Sequence, residues 1–326
     1  MILAGDIGGT KTNLAYFVAD GGSLKFRYAA SFPSKDYRTL DEVVSRMLRD
    51  HPEEVTGAAF GIAGPVVDGR SKLTNLGWEV DSRSISRLLG LNAVGLINDL
   101  QATAYGTQRL GQEERFELNR GKVQEKSPVA VIASGTGLGE SALVWDGSRY
   151  RAIPSEGGHT DFGPRNETEV DLLRYLTSKF GRVSYERIVA GAGFVNLYEF
   201  FRSRADYPEP AWLAEKLASA ADPSIVISHS GMEGTDRVCV DVVKTFASVY
   251  GAEAGNLALK ILATGGVYVG GGIAPKILPV LQKYFMEAFV AKGRYTDLMK
   301  RMPVCVVLNE QTALVGAAHY ALMMND

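Results

Sequence analysis

The sequence predicts an α/β protein of two lobes, each opening on a hairpin bent at glycines, and three observations carry that prediction. The first hundred residues read as β-β-β-α-β-α-β-α, a mixed sheet covered by helices. A polar stretch at 111–128 interrupts this pattern, which then restarts as a strand, a glycine turn and two further strands. Glycine is in excess at 36 of 326 residues, against a usual share of about 7%, and the surplus gathers at bends in the chain.

The elements follow in order. Residues 2–7 are apolar, 12–19 are rich in β-formers, and 23–31 follow a turn at Asp20-Gly21-Gly22, so three strands are expected. Thr39-Leu40-Asp41-Glu42 is a capping box leading into Val43, Val44, Met47 and Leu48, which starts a helix. Residues 55–63 form a buried strand stopped at Gly64-Pro65, 91–98 a further strand, and 99–110 a helix. After the polar stretch, strands are expected at 129–134, 141–145 and 149–153. The remainder is mainly helical: 167–180 with Gly181 as a left-handed cap, and a long amphipathic helix over 235–262. A strand at 266–269 feeds a glycine triplet, with Pro275 in the first turn of the next helix. Residues 304–308 form a last strand and 312–323 a closing helix.

The charge balance is 35 Lys+Arg against 37 Asp+Glu, a net charge of −2, with no basic excess to draw nucleic acid or an anionic membrane. The two cysteines, Cys239 and Cys305, lack metal-ligand spacing and sit in apolar stretches, so both read as small buried hydrophobes. Histidines at 51, 159, 229 and 319 form no cluster. Asp6 interrupts the opening apolar run and no basic segment precedes it, which argues against a signal peptide. The uncharged stretch between Lys260 and Lys276 is too short to span a bilayer. A cytoplasmic location is the expectation.

Glycines concentrate in Gly5-Asp6-Ile7-Gly8-Gly9-Thr10, Gly135-Thr136-Gly137-Leu138-Gly139, Gly157-Gly158, Gly191-Ala192-Gly193 and Gly270-Gly271-Gly272. Neither the Walker A pattern nor the dinucleotide fingerprint occurs. What remains is a pair of hairpins, each with Gly and Thr at the bend, and a glycine triplet after a strand. Glycine lets backbone N–H groups approach a phosphate closely, and a threonine hydroxyl adds a donor. Such a pair of hairpins is expected to cradle phosphates. Asp6 supplies a carboxylate for Mg²⁺, held through water or a phosphate oxygen.

A second set of residues is polar. Asn98-Asp99 follows an apolar strand and opens a helix, and ligands gather at such strand ends; Asp99 also suits a plain helix N-cap. Glu156-Gly157-Gly158-His159 places a carboxylate and an imidazole around two glycines. Glu186 lies early in a short helix, where a surface ion pair is the ordinary role, and Asn75 is a turn residue. Together they offer the acceptors and donors that recognise a polyol.

These residues, with Gly271-Gly272-Ile273, resemble the bacterial glucokinase family in order and spacing, essentially from residue 1 to the closing helix. The resemblance implies a two-lobed actin-like ATPase (ribonuclease H-like) fold with a cleft between lobes. It implies a small lobe of 1–109 plus 309–326 and a large lobe of 110–308. ATP and Mg²⁺ would be the cofactors, glucose the acceptor, and the protein a homodimer. Asp99 matches the catalytic base, and Asn98, Glu156, His159 and Glu186 match sugar-binding residues; Asn75 joins them as a candidate. The nucleotide would be held by Gly5, Asp6, Ile7, Gly8, Gly9, Thr10, Gly135, Thr136, Gly137, Gly271 and Gly272. Glu140-Ser141 departs from the family's apolar preference after the second hairpin. The cysteine-rich zinc motif of the related repressor and sugar-kinase branch is absent.

Three other readings remain. The acceptor could be mannose, fructose or an N-acetyl sugar. A non-catalytic sugar or nucleotide sensor would have no use for both Asp6 and Asp99. A filament-forming ATPase gives no reason for Glu156-Gly157-Gly158-His159.

Overall fold

The computed structural model describes residues 1–20, 23–73, 75–204, 206 and 208–325; the turn expected at Gly21-Gly22 lies outside the described residues. In chain order the elements are β1 Ile2–Ile7, β2 Lys11–Asp20, β3 Ser23–Pro33, α1 Leu40–Asp50, β4 Gly57–Ile62, β5 Arg70–Leu73, β6 Trp78–Asp81, α2 Ser82–Leu89, β7 Gly95–Asn98, α3 Asp99–Thr107 and β8 Arg115–Asn119. There follow β9 Val129–Ser134, β10 Leu138–Trp145, β11 Tyr150–Ser155, α4 Glu167–Phe180, α5 Gly191–Arg202, α6 Ala211–Ser219, α7 Pro223–Glu233 and α8 Arg237–Ile261. The last are β12 Gly266–Gly270, α9 Leu278–Val280, α10 Met286–Val290, α11 Thr296–Arg301, β13 Val304–Val307 and α12 Thr312–Asn325.

Two compact units divide the chain: residues 1–115, 141–154 and 309–326 form one, and 116–140 with 155–308 the other. The sequence-based division differs at two places, ending the first lobe at 109 and running the second unbroken from 110 to 308. Residues 141–154 fall with the first unit because α3 holds β11. Gln101 Nε2 donates to the Ala152 carbonyl (3.0 Å), and the Tyr105 hydroxyl accepts from Ala152 N–H (3.1 Å).

In the first unit, one sheet runs β3-β2-β1-β4-β7. β1 pairs antiparallel with β2 and parallel with β4, and β4 is parallel to β7. Strand β4, Gly-Ala-Ala-Phe-Gly-Ile, is buried along its whole length, as a central parallel strand covered on both faces must be. Its Phe60 and Ile62 pack with Leu3, Ile7, Leu14 and Tyr16 of the sheet and with Leu40, Val43, Val44 and Met47 of α1. Each such side chain contributes roughly 1.5–3 kcal/mol of burial.

The start of α1 is capped as the sequence predicts, with the Thr39 hydroxyl accepting from Glu42 N–H at 3.2 Å. The Glu42 carboxylate reaches back to the Arg38 N–H instead of Thr39 (2.8 Å), so the box is offset by one residue. β5 and β6 form a small antiparallel hairpin absent from the sequence-based reading.

In the second unit, β12 lies parallel to both β9 and β13. Its core is built on α8, whose Val242, Phe246, Tyr250, Ala254 and Ala258 are buried; Phe194 of α5 stacks on Phe246 with ring centroids 4.2 Å apart. α8 begins after an Asp236 cap and ends at Leu262, a non-glycine residue at φ 52°. Four expectations shift. The polar stretch contains β8, β10 starts at Leu138 instead of 141, and Gly181 has φ 75° with ψ −56°, outside the left-handed helical region. Cys239 is buried, but Cys305 on β13 is only half-buried. Among the described residues, no helix is long and apolar enough to cross a membrane.

Candidate active site

In the first unit the parallel strands β1, β4 and β7 end side by side, with Ile7 in register with Ile62 and Ile62 with Asn98. Asp6 and Asp99 therefore flank the carboxyl edge of one sheet, where α/β proteins bind ligands. The turn after β1 closes with Gly8 N–H donating to the Lys11 carbonyl (2.9 Å). Ser34, which sequence reasoning passed over, braces it by donating its hydroxyl to the Gly8 carbonyl (2.8 Å) and its N–H to the Thr10 carbonyl (3.0 Å). Thr10 is exposed at the tip, and Gly8 and Gly9 are half-buried. Gly5 and Ile7 stand differently: Ile7 is fully buried, and the space of a Gly5 side chain is filled by Phe60 and Leu14. Both belong to the sheet interior, leaving 8–10 as the open part of the hairpin. Asn75, exposed in the β5–β6 turn, lies beside Gly9, its Cβ 3.8 Å from where a Gly9 Cβ would stand.

Burial raises the proton affinity of Asp6, and a long bond from the Asn13 amide (3.4 Å) lowers it in part. A desolvated carboxylate with acceptor capacity to spare, at a glycine turn, fits a hydrated divalent cation. Among the described residues, no group of three or more His, Cys, Asp or Glu could hold a metal ion by itself, so the remaining ligands would come from phosphate and water.

The helix after β7 is capped by Asn98, with Asp99 at its first position. Asn98 Oδ1 accepts from Leu100 N–H (2.9 Å), and Gln101 Oε1 accepts in return from Asn98 N–H (3.1 Å), completing a capping box. The Asn98 amide nitrogen donates to the Gly64 carbonyl (3.1 Å). Asn98 thus braces the strand end. Gly61 permits α3 to lie close on β4, since a Cβ there would meet Ala102 Cβ at 2.8 Å.

In the second unit, Glu156, His159 and Glu186 come together. His159 Nε2 is 4.0 Å from Glu156 Oε2, and Nδ1 is 3.7 Å from Glu186 Oε1. Residues 157–159 make one 3₁₀ turn, with Gly157 N–H donating to Ser155 Oγ (2.9 Å) and the Thr160 hydroxyl to the Gly157 carbonyl (2.7 Å). Tyr185 N–H donates to the Thr160 carbonyl (3.1 Å), which joins this turn to the segment carrying Glu186. Arg182 anchors the turn from outside, donating to the His159 carbonyl (2.7 Å).

Glu186 also touches the second glycine turn: its Oε2 accepts from Leu138 N–H (3.0 Å) and lies 2.6 Å from where a Gly137 Cβ would sit. At that turn Thr136 is exposed and Gly135 accepts from Gly191 N–H (2.8 Å), the first residue of α5, whose N-terminus carries no side-chain cap. Gly271, at φ 83°, crosses Ser134 so closely that a Cβ would overlap its backbone, and Ile273 N–H donates to the Ser134 carbonyl (3.3 Å). Gly271 and Gly272 are exposed beside it. The turn at 135–139, the start of α5 and the glycine triplet thus lie together, and the uncapped N-terminus of α5 suits an anion.

A family model described as Glucokinase matches residues 3–324. The chain is 42% identical to a glucokinase of Trichormus variabilis, covering 98% of each chain, and 40% identical to one of Synechocystis, covering 97% and 96%. Among solved structures, a glucokinase from an Antarctic psychrotroph is 29% identical with a TM-score of 0.85, covering 99% and 98%. A glucokinase from Balamuthia mandrillaris in complex with glucose, 20% identical with a TM-score of 0.77 over 98% and 93%, shares the fold. The expected actin-like sugar-kinase fold is thereby met. With the match running nearly end to end, the chain belongs to the glucokinase family.

Proposed function

We propose that this glucokinase transfers the γ-phosphoryl group of ATP to the 6-hydroxyl of glucose, with Asp99 accepting the hydroxyl proton. The observation that carries the residue assignment is the junction at Glu186. One carboxylate faces His159, whose other ring nitrogen faces Glu156, with one oxygen and binds the backbone of the glycine turn with the other. A polyol-binding set and a phosphate-binding turn therefore share a side chain. Glu156, His159 and Glu186 accept and donate to sugar hydroxyls, and the family resemblance adds Asn98 as a further sugar contact, with Asn75 as a candidate. Gly8, Gly9 and Thr10 are assigned to phosphate, and Gly135, Thr136, Gly137, Gly271 and Gly272 to nucleotide.

Phosphoryl transfer needs in-line positioning and charge neutralisation more than covalent help. Bound Mg²⁺ supplies neutralisation at the phosphates, and Asp6 is the residue that would hold it through water or a phosphate oxygen. ADP-coupled turnover across a hexose panel, with and without Mg²⁺, tests the reading: glucose should give the highest kcat/KM, and mannose, fructose or N-acetylglucosamine in first place would replace it as acceptor. Homodimer formation rests on family resemblance and is checked by sedimentation.

Two substitutions test the halves of the second unit. Glu156→Ala leaves sugar hydroxyls without their acceptor, which costs about 1–3 kcal/mol and should raise the glucose KM roughly 5- to 150-fold. An unchanged KM and kcat would remove Glu156 from the sugar site. Gly271→Ala must place a side chain in a left-handed conformation and against Ser134. The KM for ATP should rise at least tenfold while glucose binding, followed by quenching of intrinsic fluorescence, stays intact; equal ATP kinetics would show that the triplet does not shape the nucleotide site.

A further inference from the structure

Beneath the sugar-side turn lies a buried carboxyl pair that the mechanism does not use. Glu140 on β10 and Glu253 on α8 are 1% and 0% exposed. Two carboxyl groups buried this deeply and acting on one another hold both charges only at a large cost, which favours a proton on one of them. Glu140 Oε1 has no hydrogen-bond partner, a state far less costly for a neutral carboxyl than for a carboxylate. Glu253 is served by Asn256 Nδ2 (2.8 Å) and by Lys260 (3.5 Å). Burial first, and the Glu253 charge second, push the Glu140 carboxyl well above the usual carboxylate range, against a smaller pull from Lys260. The direction of that shift favours the protonated form of Glu140.

This pair reaches both sugar-side segments. Glu140 Oε2 fills the space where Gly157 would carry a Cβ. From Glu253, Asn256 Nδ2 continues to the Tyr185 hydroxyl (3.1 Å), one residue before Glu186. We infer that Glu140 is a positioning residue for the glucose site, its protonated carboxyl supporting Gly157 and, through Glu253, Asn256 and Tyr185, the segment that carries Glu186. Loss of that proton places a second negative charge in a closed space, and the turn bearing Glu156 and His159 moves away from it.

The groups facing the pair are Glu253, Lys260 and Tyr250 from α8, Tyr185, Arg165 before α4, and Lys292 after α10. Burial pushes the Tyr185 phenol up to about 12, so it does not titrate in the working range. Burial, followed by the Arg165 charge, draws the Lys292 ammonium down to about 8. Lys292 donates to the Asn256 side chain (2.5 Å) and the Ala252 carbonyl (2.9 Å), and Arg165 is paired with Glu169. Because Lys292 can lose charge over the same range, the test must hold it constant while changing Glu140.

The inference rests on the glucose-site reading above, and the test separates the two. Glucose KM and kcat are measured for the full chain between pH 6 and 9, for the wild type, Glu140→Gln and Glu156→Ala. Gln keeps the shape and donates to Glu253 without titrating. The wild-type KM should climb by up to about tenfold per pH unit once the proton is lost, while Glu140→Gln holds a flat KM and the same kcat profile. If Glu140→Gln climbs in parallel with the wild type, the inference fails. Unchanged kinetics in Glu156→Ala would overturn the sugar-site reading beneath it. Should Glu140→Gln not fold, Glu253→Gln removes the charge facing Glu140, and the rise in glucose KM should shrink or move along the pH axis; a wild-type profile would overturn the inference.

Thermal unfolding supplies a second readout. The folded-state pKa of Glu140 is raised above its unfolded value, so the wild type has its full stability below the unfolded pKa and loses it as pH rises toward the folded one. Glu140→Gln should therefore melt progressively higher than the wild type from pH 5 to pH 8; a pH-independent difference would overturn the assignment of the proton.

Discussion

Asp99→Asn is expected to lower kcat by about 10²–10⁴, the range that a general base supplies, with the fold unchanged. The amide cannot accept the hydroxyl proton, yet it keeps what the carboxylate does for the helix. Asp99 Oδ1 accepts from Leu100 N–H (2.8 Å), a bond that an Asn carbonyl also makes. The helix start does not depend on residue 99, because the Asn98–Gln101 box caps it. Steady-state turnover, paired with a melting curve, checks both halves; near-wild-type kcat would remove Asp99 from the chemistry. KM for glucose should move little by comparison, since the loss falls on a proton transferred in the transition state.

The second large effect is on stability. α12 lies against α3, with Gly316 over the Ala102 carbonyl and Gly106 beneath Thr312, so closely that a Cβ at either glycine would overlap the facing backbone. Neither obstacle is a side chain that could turn aside. Gly316→Val should cost about 3 kcal/mol, at the upper end of overpacking, which lowers the melting midpoint by roughly 6–12 °C for a unit of this size. Calorimetry at constant protein concentration reads it directly, and an unchanged midpoint would show that the two helices separate freely. Activity at low temperature should fall as well, because α3 carries Asp99 at its first position.

Much of the fold was legible because local chemistry and tertiary demand agree at particular residues. Thr39 caps α1, Gly-Ala-Ala-Phe-Gly-Ile reads and folds as a buried strand, and Pro275 sits in the first turn of a 3₁₀ helix. Misses occurred where the deciding contact lies far along the chain. Arg115–Asn119 alternates polar and apolar residues, but its length and charge hid a strand whose Phe116 and Leu118 pack on the second unit's core. β5 and β6 are four residues each, too short to show a period.

At the site, residue types were readable but their partners were not. Asn98 reads as a sugar ligand, and the structure adds a helix cap that its sequence neighbourhood does not announce; Asp99 reads as the base, with a plain helix cap as the alternative. Gly5 looked like part of a phosphate turn, yet Phe60 is what requires it to be glycine. Glu140 was visible as a departure from an apolar pattern. Its meaning depends on Glu253, more than a hundred residues later, and no local pattern connects them.

The pairing of α3 with α12 also sets the order in which this chain can mature during synthesis. Strands β1 to β7 and α3 leave the ribosome early, while the helix that packs against α3, β1 and β4 emerges roughly 200 residues later, about 10–40 s at ordinary elongation rates. By the end of that interval the second unit has all its residues while the first still lacks its last. Until then the nascent first unit leaves exposed the apolar surface of α3, β1 and β4 that α12 covers.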